Sequence, residues 1–202
     1  MNAVIFDLDG LLIDSEKISY EIILKLLEPF DIDFSLKEYA QQYSGKTEVT
    51  NIRHLIEEYQ LPWKLEEGLE KTFALEREML FKYVDLKPGA RELLDYLKNR
   101  YFKIALASSS TEERALKILE DHGIREYFNA FSFGHEVENG KPAPDIFLKA
   151  CEKIGEDPEN CLVLEDSEAG IQAAYSAGIP VICIPDMKRP GQEFIEKNRM
   201  SA

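Results

Sequence analysis

The chain has 202 residues, enough for one domain or two small ones, and its 45% hydrophobic content can fill a substantial core. A net charge of −14 argues against a nucleic-acid backbone as partner, because that binding rests on clustered Lys and Arg; a small phosphorylated ligand stays open, because distant charges are screened. No apolar run approaches the ~20 residues that span a bilayer, and no basic region precedes the first apolar run, so the expectation is a cytoplasmic protein without anchor or signal peptide.

Residues 3–6 form a short apolar run that reads as a buried strand. It ends in Asp7-Leu8-Asp9-Gly10, two carboxylates one residue apart. Asp14 and Ser15 are good helix-capping types, and Ile18, Ile22, Ile23, Leu26 and Leu27 give the next stretch an apolar helical face until Pro29. Ser35 to Glu38 has capping-box spacing and opens a short helix toward Tyr43. Ser44-Gly45-Lys46-Thr47 reads as a turn. Residues 49–59 form a helix broken by Leu61-Pro62, and residues 64–84 a long amphipathic helix carrying Leu65, Leu69, Phe73, Leu80 and Phe81. Residues 15–84 show no strand pattern. Trp63 and the neighbouring aromatics read as packing rather than a ligand box.

Beyond Lys87 strands and helices alternate. Pro88 suits a first helical position, opening a helix to about residue 99. A strand over residues 103–107 runs into Ser108-Ser109-Ser110. A second capping box, Ser110 to Glu113, opens a helix that Gly123 closes. Residues 128–133 form a strand. Gly140-Lys141-Pro142-Ala143-Pro144 is a loop, followed by a helix to Gly155. A strand over residues 161–164 runs into Glu165-Asp166-Ser167, with Ser167 capping a helix that Gly178 ends. One more strand covers residues 181–184, and a final short helix begins near Gln192. This alternation implies an α/β fold with a doubly wound parallel sheet. It spans residues 1–14 and 85–202, with residues 15–84 as an inserted all-helical domain. Cys151, Cys161 and Cys183 are odd in number and lack ligand spacing, so buried thiols are expected rather than disulfides or zinc. His54, His122 and His135 form no ligand-spaced cluster.

In an open parallel sheet, ligands bind just outside the carboxyl ends of the strands. Four polar groups fall there: Asp7 with Asp9, Ser108 with Ser109, the Lys141 loop, and Glu165 with Asp166. Each has a plain reading alone. Serines cap helices, Gly-Lys-Pro turns the chain, and acidic pairs favour helix N-termini. Together they supply one chemistry. A carboxylate can attack phosphorus as a nucleophile, and a second can move the leaving-group proton. An anionic nucleophile approaching a phosphate is repelled, so the scheme needs a cation, a metal site and hydrogen-bond donors.

Asp7-Leu8-Asp9-Gly10-Leu11-Leu12-Ile13-Asp14-Ser15 resembles the first motif of the haloacid dehalogenase-like phosphatases. Ser108, Gly140-Lys141-Pro142-Ala143-Pro144-Asp145 and Leu164-Glu165-Asp166-Ser167-Glu168-Ala169-Gly170-Ile171 resemble the other three. The insertion's position is similar to the subgroup with a small α-helical cap, which includes β-phosphoglucomutases and pseudouridine 5′-phosphatases. The resemblance implies a Rossmann-like core, an aspartyl-phosphate formed on Asp7, and Asp9 as acid and then base. It also implies a Mg²⁺ ion held by Asp7, the Asp9 carbonyl, Asp166 and Glu165, the last directly or through water. Lys141 would neutralise charge, while Ser108 and the backbone near Leu8 and Ser109 would bind phosphate. Dehalogenases lack the second aspartate, so Asp9 favours phosphoryl transfer.

Gly45-Lys46-Thr47 matches the tail of a P-loop, but Ala40 stands where its first glycine belongs and no strand precedes it. In capped relatives such a turn helps select substrate, so Gly45, Lys46 and Thr47, with Ser15 and Ser19, are the cap candidates for substrate binding. The β-phosphoglucomutases carry a histidine where spacing places Ser19 and a phosphate-binding arginine where it places Glu48, which argues against a mutase. Receiver-like binding modules put their phosphorylated aspartate after a later strand and have no helical insertion. The expectation is therefore a monomeric phosphatase acting on a small phosphorylated metabolite.

Overall fold

The computed structural model describes residues 1–44, 46, 48–187, 189–191 and 193–194, with the side chains of residues 80–83 left aside. The chain divides into two compact units. One joins Met1–Asp14 to the chain from Asp85 onward, and the other is Ser15–Val84.

The first unit is built on five parallel strands: β1 (Ala3–Phe6), β2 (Lys103–Ser108), β3 (Ala130–Phe133), β4 (Cys161–Glu165) and β5 (Val181–Cys183). Their order is β3-β2-β1-β4-β5. The chain winds outward from β1 to β3 and then returns to place β4 beside β1, so the strand order reverses between β1 and β4. Ligands of such sheets bind at that reversal. Strand β1 is buried throughout because both of its edges are paired, with Phe6 opposite Leu106 on one side and Leu164 on the other. Continuous apolar sequence is what a strand covered on both faces requires. Ile5, Ala105, Val163, Ile146, Phe147 and Ala174 meet in one buried cluster.

The crossovers are α5 (Ala90–Asn99), α6 (Glu112–Asp121), α7 (Asp145–Ile154) and α8 (Glu168–Ser176). Helix α5 starts two residues later than Pro88 suggests, behind Gly89 at φ +86°. Strand β3 begins at Ala130 rather than 128, because a 3-10 turn occupies Arg125–Tyr127. Helix α6 also starts late. Its N-cap is Thr111, whose hydroxyl accepts from the Arg114 N–H at 3.4 Å, so the expected Ser110 box does not form. The thiols of Cys151 and Cys161 are buried and lie 3.5 Å apart. The helix expected near Gln192 begins outside the described residues.

The second unit is α1 (Ser15–Leu27), α2 (Leu36–Gln42), α3 (Glu48–Tyr59) and α4 (Leu65–Tyr83). Ser35 caps α2 by accepting from the Glu38 N–H at 3.1 Å. The Glu38 carboxylate accepts from the Tyr59 hydroxyl instead of returning to the cap, so only half of that box is realised. Aromatic rings form the centre, with Phe34 and Tyr43 5.2 Å apart edge to face. Gly68 lets α4 approach α3, since a Cβ there would sit 2.6 Å from Ile52. Trp63 packs on Phe30 at 5.3 Å, consistent with a structural role. Among the described residues no helix is long and apolar enough to cross a membrane.

Candidate active site

Asp7 is the first residue beyond β1, and its backbone N–H still donates to the Leu164 carbonyl at 3.1 Å. The sheet therefore carries it, side by side with the end of β4. Its carboxylate is buried at 6% exposure. Lys141, delivered by the loop ahead of α7, donates to Asp7 Oδ1 at 2.5 Å, to Glu165 Oε1 at 2.7 Å and to the Ala107 carbonyl at 3.3 Å. An ammonium has three protons, and these three acceptors use all of them. Lys141 Nζ also lies over the ring of Phe147, 4.9 Å from its centre.

Glu165 is 1% exposed. Its Oε2 accepts from the Ser167 N–H at 2.8 Å and from the Ser167 hydroxyl at 3.0 Å. Both carboxylate oxygens therefore have protein donors. Ser167 Oγ also accepts from the Gly170 N–H at 3.1 Å, capping α8. A Cβ at Gly170 would lie 1.7 Å from Glu165 Oε1, so the helix must present glycine to the carboxylate. Asp166 follows. A Cβ at Gly10, where φ is +78°, would lie 2.3 Å from Asp166 Oδ2. Two glycines thus clear the space into which two acidic side chains fit.

Carboxylate oxygens of Asp7, Glu165 and Asp166 all lie within 4.8 Å of one another. Burial raises the Asp7 carboxyl to about 7, with Lys141 opposing and Glu165 and Asp9 adding to the rise. Burial and the charges of Asp7, Glu165 and Asp186 push Asp166 up to about 9. Glu165 goes the other way. Burial resists its ionisation, but the charge and hydrogen bond of Lys141 and the Ser167 donors hold it below the usual carboxylate range. Lys141 is held above the usual lysine value by Asp7 and Glu165 against the cost of burial. One lysine thus leaves two of the three acids under-compensated. Hard carboxylate oxygens gathered this way suit a Mg²⁺-type cation, so the donor set fits a divalent metal. Because Glu165 is occupied by Lys141 and Ser167, Asp7 and Asp166 are the side chains with capacity to spare.

Ser108 ends β2 at 1% exposure. Its Oγ accepts from the Ser110 N–H at 3.1 Å, leaving its own proton to donate. Ser109 is exposed and Leu8 buried. Asp9 binds Arg114 through two hydrogen bonds, Nη2 to Oδ1 at 2.6 Å and Nη1 to Oδ2 at 2.9 Å, and Ser110 Oγ donates to Oδ2 at 2.6 Å. The sequence reading did not single out Arg114, and it gave Ser110 only a capping role. The available signal was that Ser110 and Arg114 both follow closely on the end of β2, at the sheet edge where ligands bind.

A fifth strand end also carries an acid that the sequence reading missed. Asp186, just past β5, ion-pairs with Lys87, which reaches Asp14 at 2.9 Å as well. Asp186 Oδ2 lies 3.1 Å from the position a Gly10 Cβ would take, at the margin of the acidic cluster. Burial raises the Asp186 carboxyl while Lys87 opposes the rise.

The cap candidates belong to the helical unit. Ser15 opens α1 and is buried, Ser19 is half-buried one turn on, and Lys46 is exposed. The Lys46 N–H donates to the Tyr43 carbonyl at 3.2 Å. Gly45 and Thr47 lie outside the described residues.

The chain is 33% identical over 179 residues to a phosphorylated carbohydrates phosphatase of Thermotoga maritima, covering 89% of this chain and 82% of that protein. It is 35% identical over 187 residues to a β-phosphoglucomutase of Bacillus subtilis, covering 89% and 81%. A HAD family hydrolase of Deinococcus radiodurans, solved with bound phosphate and sodium, superposes with a TM-score of 0.80 at 26% identity, covering 100% of this chain and 89% of that one. The family model described as haloacid dehalogenase-like hydrolase matches residues 4–184. The chain therefore belongs to the haloacid dehalogenase-like hydrolases and is a phosphoric monoester hydrolase.

Proposed function

We propose that this enzyme is a Mg²⁺-dependent phosphatase that hydrolyses a small phosphorylated metabolite, such as a sugar phosphate or nucleotide-like monoester, through an aspartyl-phosphate on Asp7. The observation that carries the reading is Lys141 binding Asp7 and Glu165 at once, at the reversal of strand order and beside Asp166. Lys141 takes Oδ1 and fixes the Asp7 carboxylate, leaving Oδ2 as the attacking atom. In the first step the Asp7 oxygen bonds to phosphorus as the ester oxygen leaves, and Asp9 gives that oxygen a proton. In the second, water replaces Asp7 on phosphorus and passes a proton to Asp9. A positioned acid or base contributes typically ~10²- to 10⁴-fold. Ser108 and the N–H groups near Leu8 and Ser109 hold the phosphate oxygens. Asp7, Asp166 and the Asp9 carbonyl would hold the cation. When bound it supplies the positive charge that Lys141 alone does not, keeping Asp7 ionised and offsetting phosphate charge.

Two relatives support phosphate-ester chemistry by name. Hydrolysis is favoured over mutation because Glu48 would repel a second phosphate. Ser15, Ser19, Gly45, Lys46 and Thr47 are proposed to select the substrate, and the enzyme to act as a cytoplasmic monomer. The test is Asp7→Asn with p-nitrophenyl phosphate and Mg²⁺. Turnover should vanish while the circular dichroism spectrum is unchanged, and activity within tenfold of wild type would refute the nucleophile. The wild type should release inorganic phosphate from sugar monophosphates; interconversion of hexose 1- and 6-phosphates without release would identify a mutase instead.

A further inference from the structure

The proposed mechanism needs Asp9 to hand over and take back a proton, and Asp9 stands on a loop with its side chain 37% exposed. A carboxylate there has free rotation unless something orients it. Among the contacts of the described residues three donors do, all from the junction of β2 and α6. Arg114 forms a two-point pair with both Asp9 oxygens, and Ser110 adds a third bond to Oδ2. Arg114 also donates to Ser110 Oγ, so the two donors are fixed relative to each other. The Arg114 side chain is only 15% exposed, hence held by its surroundings. A planar guanidinium matches a carboxylate at two points and so sets its direction as well as its place. The late start of α6 makes this possible. With Thr111 as the cap, Ser110 is released from the helix and Arg114 falls in its first turn.

We propose that Arg114, with Ser110, is the positioning residue for Asp9 in this hydrolase, aiming the acid–base carboxylate at the reacting oxygens. The inference rests on the mechanism above. Arg114 acts through Asp9 and contacts no substrate. A carboxylate that accepts on both oxygens has no proton to give, so this role belongs to the step in which the attacking water loses a proton to Asp9 as its bond to phosphorus forms. It does not extend to substrate affinity.

The experiment compares wild type, Arg114→Ala, Arg114→Lys, Asp9→Asn and the Asp9→Asn/Arg114→Ala double variant in Mg²⁺, with p-nitrophenyl phosphate and phosphate release under single-turnover conditions. Arg114→Ala should lower kcat about 10- to 100-fold, within what a positioned acid–base group supplies, with KM within threefold. Lysine should recover part of the loss, since it restores charge without the two-point geometry. In the Asp9→Asn background the Arg114 change should cost less than twofold, because its target is already gone. A KM increase at unchanged kcat would overturn the proposal by making Arg114 a substrate ligand. An equal loss in both backgrounds, or no loss at all, would also overturn it. Should Arg114→Ala fail to fold, Ser110→Ala carries the same test with an expected 3- to 10-fold loss and the same double-variant pattern. If Asp9→Asn retains full activity, the acid–base assignment itself falls; if Asp9→Asn is strongly impaired while Arg114→Ala keeps the wild-type kcat, only this inference does.

Discussion

Single residues matter here mostly through what they exclude. Gly170 has no special backbone angle, yet its missing side chain is where Glu165 lies. Gly170→Ala must displace a carboxylate that is 1% exposed and bound by Lys141 and Ser167. Inserting a methyl into such packing costs about 1–3 kcal/mol. The expected outcome is a lower urea midpoint together with at least a tenfold loss of phosphatase activity, because Glu165 fixes Lys141 and Lys141 fixes Asp7. Unchanged stability and activity would show that Glu165 moves without consequence. Gly10→Ala joins two penalties, since the position has φ +78° and its Cβ would strike Asp166.

At the scale of elements, helix starts bring the functional groups to the sheet edge. Ser167 is the clearest case. Its Oγ accepts from Gly170 to cap α8 and donates to Glu165, and its N–H binds the same carboxylate. Ser167→Ala should cost about 1 kcal/mol for the cap, and more for a buried carboxylate deprived of a donor. Ser167→Thr should restore most of it. Urea denaturation of the three proteins decides the point, and equal stability of alanine and serine would sink it. Helix α6 shows the converse. Spacing alone assigned Ser110 to its cap, but Thr111, a somewhat weaker capping type, takes that place while Ser110 binds Asp9, more than a hundred residues upstream.

Across the whole molecule, the acidic centre makes stability depend on pH, and the proposed cation site adds an expected dependence on Mg²⁺. Asp7 and Asp166 have folded values of about 7 and about 9 against an ordinary 3.8. Between those limits the folded protein binds more protons than the unfolded chain, so stability falls as pH rises. The contribution is fully present below about pH 4 and is lost as pH climbs through 7 toward 9. In EDTA the melting temperature should therefore drop between pH 5.5 and pH 8.5, by about 2–4 °C for each kcal/mol lost. Mg²⁺ must compete with those protons, so its stabilisation should be small at pH 5.5 and larger at pH 8.5. A thermal scan at both values, with and without Mg²⁺, checks both signs. A Mg²⁺ effect that shrinks as pH rises would contradict an oxygen-ligand site at these carboxylates.

Much of this was legible in the residues themselves. Apolar runs ending in polar groups mark strands whose carboxyl ends carry chemistry, as with Phe6 before Asp7 and Leu164 before Glu165, and helical periodicity over residues 15–84 marks an insertion without strands. These signals are local, so the sequence by itself determined the parallel α/β class and put Asp7, Lys141, Glu165 and Asp166 just at or beyond strand ends. The partnerships were decided only by the tertiary structure. That Lys141 spends its protons on Asp7 and Glu165, that Arg114 and Ser110 hold Asp9, and that Asp186 borders the cluster beside Lys87 depend on strand order and on where each helix starts. Strand order and helix starts follow from packing between distant segments, which no window of sequence contains.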